Sequence, residues 1–103
     1  MKLKLSIIST AVIAACSFTM NAQAYDGSKY IKDAKITMDQ AQALALKAYP
    51  GTIVERELEH KKGGSGLRFS FDVRANQITH EVGIDAQTGE VLENRVESPN
   101  EAD

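Results

Sequence analysis

His60 and His80 are the only histidines in the chain, and Cys16 is its only cysteine. A zinc site needs three or four ligands converging on one point. Two imidazoles fall short of that, and His60 stands beside Lys61 and Lys62, whose charge disfavours a cation. Asp72 and Glu81 are the acids that could form a pair, since two carboxyls held side by side can share a proton or hold a cation. The simpler reading is two solvated acids screened by Arg68 and Arg74. Neither histidine has an evident nucleophile beside it in sequence, so no Ser-His-Asp or Cys-His set is apparent. Gly63-Gly64-Ser65-Gly66 lacks the Gly-Lys-Ser/Thr ending of a phosphate loop and does not lead into a helix. No catalytic, cofactor-binding or metal-ligating residue is therefore assigned, and no cofactor is expected.

The segments that would position these residues begin after an address. Lys2 and Lys4 precede a mostly apolar run over residues 5–20, and Ala22-Gln23-Ala24 is a small-x-small cleavage site. This predicts a signal peptide over residues 1–24. The apolar run is short of the roughly 20 residues that span a bilayer. Ile13-Ala14-Ala15-Cys16 also resembles a lipobox, so anchoring through a lipidated Cys16 is the alternative. Both readings place the mature chain outside the cytoplasm, periplasmic or secreted. Small secreted domains often rely on disulfides, and a chain with one cysteine must rely on an apolar core instead. The net charge of −2 becomes more negative once Lys2 and Lys4 are removed. That argues against nucleic acid and anionic membranes as partners.

Residues 25–35 are polar and read as a flexible N-terminal arm; residues 98–103 read as a loose acidic tail. The folded domain is expected over residues 36–97. Thr37-Met38-Asp39-Gln40 fits a capping box that opens a helix over residues 38–49. Ala41, Leu44, Ala45 and Ala48 make its buried stripe, which Met38 extends. Pro50-Gly51 ends it. Thr52–His60 is expected as a strand with imperfect alternation, and residues 61–66 as a flexible loop. From Leu67 to Ala75 apolar and polar residues alternate strictly, with Arg68, Ser70, Asp72 and Arg74 on a solvent face. A hairpin at Asn76-Gln77 pairs this strand with residues 78–84, setting Phe71 against Val82 and Asp72 against Glu81. It puts His80 on the apolar face opposite Val73, a ring on the rim of the core. Val91–Val96 is the last strand.

In Val82-Gly83-Ile84-Asp85-Ala86-Gln87-Thr88-Gly89-Glu90-Val91, Asp85 can bond the backbone two residues on, and Gly89 can supply a positive φ. The fold class is α+β: one N-terminal helix packed on a four-stranded antiparallel sheet. Phe69 and Phe71 are the expected anchors against Leu44 and Ala48. The binding surfaces left open are the polar sheet face and an edge strand, which can accept an extended peptide. Glu55, Glu57 and Glu59 suit protection of such an edge.

Ile36-Thr37-Met38-Asp39-Gln40-Ala41, Ala48-Tyr49-Pro50-Gly51 and Asp85-Ala86-Gln87-Thr88-Gly89-Glu90-Val91 occur in an order and spacing that resemble the PepSY domain family, over about residues 36–96. That family includes propeptides of thermolysin-like metallopeptidases. The resemblance implies a noncatalytic module that restrains or modulates an envelope peptidase or another envelope protein; it carries over no site residue. The alternative reading is a small-ligand or metal-sensing envelope protein. Oligomeric state is not given by the sequence.

Overall fold

The computed structural model describes residues 25–97. The expected leader, Cys16 and the acidic tail lie outside the described residues. The fold is the expected one: helix α1 (Met38–Ala48) and strands β1 (Thr52–His60), β2 (Leu67–Ala75), β3 (Ile78–Asp85) and β4 (Val91–Val96). The strands form one antiparallel sheet in the order β1-β2-β3-β4, and α1 lies across one face.

The capping box opens α1. The Thr37 hydroxyl accepts from the Gln40 N–H at 3.0 Å, and Gln40 Oε1 accepts from the Thr37 N–H at 2.9 Å. The helix ends one residue earlier than expected. Tyr49 is already extended, with φ −148° and ψ 96°, because Pro50 disfavours helical geometry in the residue before it. Met38, Ala41 and Ala45 form the fully buried line, while Leu44 and Ala48 flank it half-buried. The small residues bring the helix backbone close to Phe69, Phe71, Val73, Val82 and Ile84, all wholly buried.

The β2–β3 register is the expected one: Phe69 faces Ile84, Phe71 faces Val82, Asp72 faces Glu81 and Val73 faces His80. Asn76 and Gln77 close it with φ of 53° and 69°, the paired positive values of a tight hairpin turn. The imperfect alternation of β1 has a cause. Its register slips between Ile53 and Glu55, leaving Val54 as an extra, exposed residue. After this bulge Arg56 and Leu58 face the helix side, and Arg56 donates to Gln42 on α1 at 2.9 Å.

Residues 25–35, expected as a flexible arm, have defined structure. Ser28–Asp33 forms a 3-10 helix, and the Leu58 N–H donates to Asp26 O at 2.8 Å, so the segment lies along the free side of β1. Gly27 permits this. Its φ is 86°, and a Cβ there would fall 1.6 Å from the Leu58 carbonyl oxygen. The polar composition hid a backbone contact that depends on one glycine.

Candidate functional site

Asp85 ends β3 and is 2% exposed. Its carboxylate accepts from the Gln87 N–H at 2.8 Å, the bond expected from sequence, and from the Thr88 N–H at 3.3 Å. It also accepts the Ser65 N–H at 2.7 Å and the Ser65 hydroxyl at 2.8 Å. Burial alone would push the Asp85 pKa up. The bonds from Gln87, Ser65 and Thr88 outweigh it and hold the carboxyl below its ordinary value. The 61–66 loop, expected as a flexible connection, is thus tied to the β3–β4 turn. Gly64 makes room: a Cβ there would lie 2.2 Å from the Asp85 carboxylate. Gly89 takes the expected positive φ, 81°.

The sheet face away from α1 differs from the expected wet surface. Arg68 and Ser70 are buried there, at 6% and 4% exposure. Gly83 lies beneath the Arg68 guanidinium, where a Cβ would come within 2.9 Å of Nη1. Arg68 Nη1 donates to Glu93 at 2.9 Å and Nη2 to Lys62 O at 3.1 Å, while its buried Nε has no hydrogen-bond partner. Glu93 also pairs with Arg95 and Lys61, and Arg95 reaches Glu81 at 3.2 Å. The long side chains of β4 roof the β2 residues. Alternation along β2 could not reveal this, because the cover comes from a strand two positions away in the sheet.

Asp72 lies in a cross-strand row, with Glu55 on β1, Glu81 on β3 and, beyond it, Arg95 on β4. The expected Asp72–Glu81 pair is therefore opposed, and Glu55 joins it. The expected screening differs, since Arg68 is drawn to Glu93 and Arg95 serves Glu81. Partial burial, repulsion from Glu97, Glu55 and Glu81, and a side-chain hydrogen bond with Glu55 raise the Asp72 pKa to about 7. The row can carry an exchangeable proton near neutrality. Among the described residues no group of three or more His, Cys, Asp or Glu side chains could hold a metal ion.

The two histidines are far apart. His60 faces Leu67 and His80 faces Val73, a separation of roughly 20 Å at the rise of a strand. His60 meets the Tyr30 ring edge-on, with centroids 4.5 Å apart. His80 stacks flat on Tyr49 at 3.7 Å, and its Nδ1 lies 2.7 Å from Asn94 Oδ1. This is the core-rim ring expected of His80. The tyrosine beneath it was not anticipated; Tyr49 reaches it because the helix ends there and the chain turns extended.

No helix among the described residues is long and apolar enough to cross a membrane. No curated protein and no solved structure matches the chain. A family model does match, described as the peptidase propeptide and YPEB domain, over residues 35–95. That span takes in the Thr37 cap, α1, the Asp85 turn and nearly all of the four-stranded sheet. The chain therefore belongs to the PepSY family.

Proposed function

We propose that this protein is a noncatalytic binding module that works outside the cytoplasm by engaging another envelope protein, a peptidase whose activity it restrains. The observation that carries this reading is the family match across residues 35–95, whose description joins this fold to peptidase propeptides. The surface best suited to meet the target is the sheet face away from α1, where Glu55, Asp72, Glu81 and Arg95 stand in one row. A rigid sheet holds these charges at fixed spacing, which favours selection of a partner by complementary charge. The expected binding mode is reversible, and weaker in high salt.

Cross-linking in intact cells, followed by capture and identification of the attached proteins, tests the reading. The expected result is an envelope peptidase whose hydrolysis slows when purified protein is added. Recovery of no envelope protein, or of a peptidase that turns over at an unchanged rate, would overturn it.

A further inference from the structure

The sheet has two edges, and they differ in a way that concerns association. On β1, Asp26 forms a parallel bridge with Glu57, and the Leu58 N–H is bonded to Asp26 O. On β4, no backbone bond to the outer side occurs among the described residues. The inner side of β4 pairs Val96 with His80, Arg95 with Glu81, Asn94 with Val82 and Glu93 with Gly83. Glu97 continues the ladder, its N–H donating to Thr79 O at 2.8 Å. Bonded and non-bonded pairs alternate in an antiparallel ladder. Glu93, Arg95 and Glu97 therefore turn their backbone groups inward, and Asn94 and Val96 turn theirs outward. The Val96 carbonyl is approached by Arg95 Nη1 at 3.5 Å, a contact that a stronger backbone donor can displace.

We propose that β4 is a self-recognition edge: two copies of this chain pair antiparallel about a two-fold axis at Asn94, joining their sheets into one continuous layer. The charge order selects the register. With Asn94 opposite the partner's Asn94, Glu93 faces the partner's Arg95 and Arg95 faces the partner's Glu93. Outward backbone groups then meet outward backbone groups. Moving the axis to Arg95 sets arginine against arginine and Glu93 against the partner's Glu97. Moving it to Glu93 sets glutamate against glutamate. Shifts that pair odd with even positions leave outward groups facing inward ones. Opposite charges across strands stabilise and like charges destabilise, so of the axes at Glu93, Asn94 and Arg95 the one at Asn94 is favoured.

The first edge offers no such match. Glu55, Glu57 and Glu59 alternate along β1, so any antiparallel self-pairing that opposes them sets acid against acid. β1 is thus covered and self-repelling, whereas among the described residues the outer backbone side of β4 is unbridged and its charge order is self-complementary. Glu93 and Arg95 already pair within one chain; dimerisation would extend that pair into a ring of four alternating charges. The regular run is short. The β3–β4 register shifts between Gly83 and Ile84, and Leu92 at the bulge packs toward Gly64. Bulges and short edges limit pairing, so the dimer is weak and its population depends on concentration.

Sedimentation equilibrium of the full chain, with residue-resolved amide exchange at low and high concentration, tests the proposal. A monomer–dimer equilibrium is expected, with added protection at the Asn94 and Val96 amides in the dimer. Arg95→Glu places like charges at both crossings and should weaken the dimer about tenfold or more. Val96→Pro removes an outward N–H without touching the inner ladder, and should do the same while circular dichroism shows an intact fold. A monomer up to millimolar concentration would overturn the proposal. So would protection confined to another surface, or a dimer indifferent to both substitutions. If the chain stays monomeric and β4 gains protection only with a foreign extended peptide, the edge serves a different occupant and self-recognition is refuted.

Discussion

The buried carboxylate of Asp85 accepts both the backbone N–H and the hydroxyl of Ser65, a residue 20 positions earlier. Through this contact the glycine-rich loop after β1 and the turn after β3 become one unit. Gln87 and Thr88 donate to the same carboxylate. Asp85→Ala would leave several of these donors without their acceptor in a buried setting, at a cost of about 3 kcal/mol or more. Ser65→Ala removes the hydroxyl donor alone and should cost about 1–2 kcal/mol. The two losses should not add, because both act on one contact. Urea unfolding of the two single variants and the double variant would check this; additive losses would show that the contact is energetically idle.

Asp72 and Asp85 should pull the pH dependence of stability in opposite directions. The Asp72 pKa is raised from 3.8 unfolded to about 7 folded. Its contribution is fully present below the unfolded value and is lost as pH rises through the folded value. The Asp85 pKa is lowered on folding. Its contribution is present above the unfolded value and is lost as pH falls through the folded one. The melting temperature should therefore peak in mildly acidic solution. Asp72→Asn should flatten the decline toward and above neutrality and leave the acid limb in place. A variant that still loses stability between mildly acidic and neutral pH as steeply as the wild type would contradict the assignment to Asp72.

Phe71 is wholly buried between the sheet and α1. Phe71→Ala removes its burial and leaves a cavity, so a loss of about 3–5 kcal/mol is expected. Chemical denaturation would measure it. A loss below about 1 kcal/mol would be out of keeping with a residue closed off from solvent in the centre of the core.

Gln77 holds φ at 69° in the β2–β3 turn. A side chain disfavours that left-handed geometry, and glycine adopts it freely. Gln77→Gly should stabilise the protein by about 0.5–1 kcal/mol, read as a higher denaturant midpoint at unchanged slope. A lower midpoint would mean that the Gln77 side chain contributes more than its backbone costs.

Local chemistry was legible in the sequence, and contacts between distant segments were not. The Thr37–Gln40 cap, the Phe69–Phe71–Val73 alternation and the Asn76-Gln77 hairpin each depend on neighbours within a few residues, and each appears as expected. The Asp85 bond to Gln87 was legible for the same reason, whereas its bonds to Ser65 were not. Arg68 and Ser70 alternate like solvent residues but are covered by Glu93, Glu81 and Arg95 from other strands. The 3-10 helix was hidden because its docking rests on the close approach of Gly27 to Leu58. Glycine at Gly83 was a missed clue, since a missing side chain within a strand often marks the place where another group lies across the backbone.

Every strand in the β1-β2-β3-β4 order pairs with its immediate neighbour along the chain. No ladder has to wait for a remote segment to arrive, so loop-closure entropy during folding stays low. Topologies of this kind are quick to assemble for their strand content. Rapid assembly shortens the interval in which Phe69, Phe71 and Val73 are open to cleavage or to sticking to one another, which would matter most in the proposed role beside a peptidase.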